Sequence, residues 1–114
     1  MNKETVLLSV NTHGTKNQNI FYLYLFNKNE KINNMLENIF LDETQTNIIF
    51  NGISLRKGDV AWAIYSDINF SDDFYDSLLI RYEIPAGIYL FLSTMKNPLL
   101  RHEISYIFRN NEEQ

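Results

Sequence analysis

Cysteine is absent from the 114 residues. Its absence excludes a disulfide framework, a thiolate metal site and a cysteine nucleophile, and it permits a reducing compartment. Proline and glycine are scarce, two and four residues, and no stretch rich in Gly, Pro or Ser divides the chain. The elements are therefore expected to share one core in a single domain over residues 1–114. The longest apolar runs, Ile20–Phe26 and Ile88–Leu92, are too short to cross a bilayer as helices. Met1–Glu4 lacks the charged region and long apolar stretch of a signal peptide. Together these absences predict a cytoplasmic protein that does not associate with membranes.

Basic residues are outnumbered, ten Lys and Arg against fourteen Asp and Glu, and the formal net charge of −4 opposes attraction to phosphate backbones. The basic residues form no run of three, so no nucleic-acid stripe is expected. Catalytic signatures are missing as well: there is no Walker loop, GxGxxG, HExxH, GxSxG or EF-hand loop. His13 and His102 are the only imidazoles. His13 has a loop position beside Gly14, with Thr12 and Thr15 as hydroxyl neighbours, but a solvated loop histidine is the simpler reading. Asp72, Asp73 and Asp76 lack the alternating oxygen ligands, central Gly and distal Glu of a calcium loop. No metal, no cofactor and no enzymatic activity are expected.

What the chain does contain is apolar bulk. Hydrophobic residues reach 45%, with seven Tyr and eight Phe, enough to offset the entropy of ordering a backbone. Ile32, Met35, Leu36, Ile39 and Phe40 fall on one helical stripe, with Asn27 or Asn29 as caps. Ile48–Phe50 and Ile53–Leu55 flank Asn51-Gly52, the pair best suited to the two positive φ angles of a tight hairpin. Thr5–Val10 and Ile20–Phe26 read as strands, with a loop over Asn11–Asn19 between them. Alternation of Val60, Trp62 and Ile64 with smaller neighbours predicts a strand over Asp59–Tyr65. Leu78–Ile84 and Ile88–Leu92 are expected as a further pair of strands around Pro85-Ala86-Gly87, and Ser71 could start a single helical turn. Residues from Asn97-Pro98 onward fit helix and strand periods alike, and the cap pair favours helix. The expected class is α+β: an antiparallel sheet of about five to seven strands with one clear amphipathic helix and a second helix at the C-terminus.

The segment Tyr82–Leu92, YEIPAGIYLFL, resembles the strand that opens the second half of GyrI-like effector-binding domains. The resemblance implies a strand there followed by a helix from Pro98. The two further strands of that pattern have no counterpart in the sequence.

One segment stands out by charge. From Lys57 to Arg81 no basic residue intervenes, while Asp59, Asp67, Asp72, Asp73 and Asp76 interleave with Trp62, Tyr65, Phe70, Phe74 and Tyr75. Aromatic anchors among carboxylates suit a surface that buries area against a basic protein and steers it into place. The competing reading makes Trp62 and Phe74 core and the acids mere solvated charge. Asp59, Asp67, Phe70, Asp72, Asp73, Phe74, Tyr75 and Asp76 are accordingly the candidate partner-binding residues. The profile is similar to that of bacterial toxin-immunity proteins and phage-encoded inhibitors, which occlude a basic, for instance nuclease, partner. A sensor or effector-binding domain lined by Tyr22, Tyr24, Trp62 and Tyr89 is the second expectation, and a small enzyme of unfamiliar type the third.

Overall fold

The computed structural model describes residues 30–112. The expected strands Thr5–Val10 and Ile20–Phe26, the loop Asn11–Asn19 and His13 lie outside the described residues. Five helices and one hairpin follow in order: α1 (Glu30–Glu37), β1 (Gln45–Phe50), β2 (Ile53–Arg56), α2 (Lys57–Asn69), α3 (Asp72–Arg81), α4 (Tyr89–Lys96) and α5 (Leu99–Glu112). The expectation of five to seven strands is overturned. The class is still α+β, but the described residues are mostly helical and hold a single two-stranded antiparallel sheet. The chain divides into two compact units, Met1–Ile68 and Asn69–Gln114.

In the first unit, α1 buries Ile32 and Leu36, and its stripe runs on to the fully buried Phe40. Hydrogen bonds from Ile39 N–H to Leu36 O and from Phe40 N–H to Glu37 O tighten the last turn and keep Phe40 facing inward. Phe40 meets Trp62 and Tyr65 of α2 edge-on, with centroids at 5.4 and 5.2 Å. The hairpin forms where expected: Asn51 and Gly52 have φ of 54° and 79°, and Phe50 pairs with Ile53. A bulge between Gln45 and Ile49 frees backbone groups that side chains then satisfy. Thr46 Oγ1 donates to Leu55 O at 2.6 Å and accepts from Ile48 N–H, and Ser54 Oγ donates to Thr46 O.

The strand expected over Asp59–Tyr65 is instead part of α2. Val60, Ala61, Trp62, Ile64 and Tyr65 are all buried, so the segment carries no polar face to reveal a period of 3.6. Ala61 and Ala63 favour helix intrinsically. The start of α2 is capped on every side: Thr44 O accepts from Lys57 N–H, Asp42 O from Gly58 N–H, and the Asp59 carboxylate from Arg56 N–H.

In the second unit, Ser71 caps α3 by accepting from Phe74 N–H at 3.1 Å. The expected single turn extends to ten residues. The helix ends in a Schellman motif, with Ile84 N–H on Leu79 O and Glu83 N–H on Ile80 O, and Glu83 takes the left-handed position at φ 54°. The alternation of Leu78, Ile80, Tyr82 and Ile84 is thus a helix end and its exit, not a strand. Ile88–Leu92 is likewise largely α4, which buries Leu90 and Thr94 one turn apart; a short apolar run does not distinguish strand from helix. The segment Tyr82–Leu92 therefore does not form the strand that its resemblance to GyrI-like domains implies. The helix expected after Asn97-Pro98 is present as α5, with Arg101, Ile104, Ser105 and Phe108 buried on one stripe.

Candidate functional site

The candidate residues fall into three groups. Asp59 lies inside the first unit, with a relative exposure of 0%. Its carboxylate takes the Arg56 guanidinium in a forked pair, Nε to Oδ2 and Nη2 to Oδ1, both at 3.1 Å. The pairing raises the Arg56 pKa above its usual value. Asp59 holds the start of α2 and offers no charge to a partner. Asp67 is exposed on α2.

Phe70 and Phe74 form the second group, together with Phe108 of α5. Their ring centroids stand 4.8 Å apart for Phe70 and Phe74, 5.4 Å for Phe70 and Phe108, and 5.6 Å for Phe74 and Phe108. These rings anchor α3 to α5 within the second unit. Tyr75 is half-buried and its hydroxyl donates to Gly87 O at 3.0 Å; burial pushes its pKa up. The aromatic residues of the segment are thus engaged internally.

Asp72, Asp73 and Asp76 remain, and all three are exposed on α3. Asp72, Asp76 and Ile80 recur at i, i+4 and i+8, and Asp73 and Ser77 lie beside them, so one helical face presents all five. Ile80 is 80% exposed, more than any other large apolar side chain described. Asp72 and Asp73 also stabilise the positive end of the α3 dipole, an effect confined to the first turn. Asp76 and Ile80 lie beyond that turn and gain nothing from it. The alternation of Leu78, Ile80, Tyr82 and Ile84 points to a strand and so hides Ile80; the helical spacing from Asp72 is the signal that finds it.

The Tyr82 hydroxyl donates to Glu103 Oε2 at 2.9 Å, joining the end of α3 to α5. Burial, then this hydrogen bond, pushes the Tyr82 pKa up to about 12. Leu99 and Tyr106 of α5 are each 66% exposed, with His102 and Glu103 also exposed beside them. Of the residues expected to line a sensor pocket, Trp62 is core of the first unit, Tyr89 is exposed, and Tyr22 and Tyr24 lie outside the described residues. Among the described residues no group of three or more His, Asp or Glu is placed to hold a metal ion, and no helix is long and apolar enough to cross a membrane. Comparison with known proteins finds no family model, no curated protein and no solved structure that matches the chain.

Proposed function

We propose that this protein is a binding module that docks a basic protein on the outer face of α3 and acts by covering it, as an inhibitor or immunity protein covers a basic active site. One observation carries the reading: Asp72, Asp73, Asp76 and the apolar Ile80 stand exposed on one helical face. Carboxylates in the turns ahead of an apolar knob on the same helical face combine long-range steering with a group that gains from desolvation at the contact. The basic partner supplies the complementary charge, and a socket for Ile80 supplies the burial.

The anchor on this face is aliphatic, not aromatic. Phe70, Phe74 and Tyr75 have partners within the second unit, so Ile80 is the anchor assigned here. Asp67, on α2, is not assigned to the face. Affinity capture tests the proposal: wild-type protein and a variant with Asp72, Asp73 and Asp76 changed to Asn serve as parallel baits at low salt. A basic protein retained by the first and lost from the second is the expected result. Equal retention by both baits would remove α3 as the docking face.

A further inference from the structure

Asn51 is the only one of the fifteen Asn residues that is followed by Gly. The pair forms the tip of the β1–β2 hairpin, and both residues are exposed. Gly52 carries no side chain to shield its own nitrogen, and a Cβ placed there would meet nothing within 4 Å, so no other part of the chain crowds the tip of the turn. These are the elements of a chemical reaction internal to the chain. The deprotonated Gly52 nitrogen attacks Cγ of the Asn51 side chain, a C–N bond closes a five-membered imide, and the side-chain nitrogen leaves as ammonia. Water then adds to one of the two imide carbonyls. Opening on one side gives aspartate; opening on the other gives isoaspartate, which routes the main chain through the former side-chain carbon. No electron changes hands, and water is the only co-reactant.

The folded turn opposes this step. Ring closure requires rotation about the Asn51 Cα–C bond to bring the Gly52 nitrogen over Cγ. The left-handed pair at φ 54° and 79°, closed by the Phe50–Ile53 pairing, resists that rotation. Reaction therefore proceeds through local opening of the hairpin, not through its closed form. The product acts back on the turn. Isoaspartate adds a backbone atom to a loop of two residues whose register leaves no room for it, so the ladder between Phe50 and Ile53 cannot re-form as before.

We propose that Asn51-Gly52 is a self-modification site: Asn51 deamidates through the Gly52 amide when the hairpin opens, and isoaspartate makes that opening irreversible. The test incubates the full chain at mildly alkaline pH, in native buffer and in urea, and follows each Asn by peptide mapping and the hairpin amides by hydrogen exchange. In urea Asn51 should convert faster than any other Asn; in native buffer it should still convert, but roughly tenfold or more slowly, as an opening equilibrium demands. Thr46→Val, which loses the hydrogen bond to Leu55 O, should raise the native rate and leave the urea rate unchanged. The converted chain should lose exchange protection in β1 and β2. No native conversion at Asn51 while urea permits it, a native rate indifferent to Thr46→Val, or full protection in the isoaspartate form would each overturn the proposal.

Discussion

Asp59 and Arg56 are joined three ways: the Arg56 N–H donates to Oδ2 at 2.8 Å, Nε donates to the same oxygen at 3.1 Å, and Nη2 donates to Oδ1 at 3.1 Å. One residue of β2 thus meets the carboxylate of the first turn of α2 with both its backbone and its side chain. Asp59 is fully buried while Arg56 keeps contact with solvent, so the carboxylate depends on this pairing more than the guanidinium does. Asp59→Ala should cost about 3 kcal/mol, and Arg56→Ala, which strands a buried carboxylate, at least as much. Arg56→Lys should recover only part of the loss, because an ammonium does not reproduce the fork. Urea midpoints measure all three; losses below about 0.5 kcal/mol would mean that the clamp adds nothing to the fold.

Gly52→Ala places a Cβ on a residue at φ 79°, where space is open but the backbone conformation is strained. The expected cost is about 1 kcal/mol. Thermal or urea unfolding checks it, and an unchanged midpoint would contradict the turn geometry.

Glu83 occupies the left-handed position of the α3 Schellman motif, where glycine is the usual residue. Glu83→Gly should stabilise the protein by about 0.5 to 1 kcal/mol, the opposite sign to Gly52→Ala. The pair of variants, one gaining and one losing glycine at a left-handed position, is checked in a single unfolding series.

Tyr82 has a folded pKa of about 12 against an ordinary value of 10.0, raised by burial and then by its hydrogen bond to Glu103. A pKa raised on folding gives stability that is fully present below the unfolded pKa and is lost as pH rises through the folded one. Stability should therefore fall between about pH 10 and pH 12 in wild type, and Tyr82→Phe should flatten that part of the profile. Tyrosinate absorbance resolves the group directly. A Tyr82 that ionises near pH 10 in the folded protein would contradict the contact.

The parts of this fold legible in the sequence are those with local chemistry. The Asn51-Gly52 turn, the apolar stripe from Ile32 to Phe40 and the Asn97-Pro98 start of α5 each depend on residues close in the chain. Asp59–Tyr65 was illegible for a physical reason: a helix buried on nearly every side has no polar stripe, and Val60, Trp62 and Ile64 then mimic alternation. Leu78–Ile84 misled because it straddles a helix end, where Ile80 faces solvent and the Ile84 N–H turns back to Leu79 O. The candidate site was legible only in its charges. Asp72, Asp73 and Asp76 follow from composition, but the inward packing of Phe70 and Phe74 on Phe108 joins positions more than thirty residues apart, and no local pattern announces it.

Binding kinetics of the captured partner, measured by surface plasmon resonance across a range of salt concentrations, test the central claim about α3. Changing Asp72, Asp73 and Asp76 together to Asn should slow association and flatten its salt dependence, with dissociation little changed. Ile80→Ser should instead speed dissociation and cost about 1 to 2 kcal/mol of affinity. The account predicts these two separate kinetic signatures in variants that melt like wild type. Wild-type association and dissociation rates in both the triple variant and Ile80→Ser would contradict it.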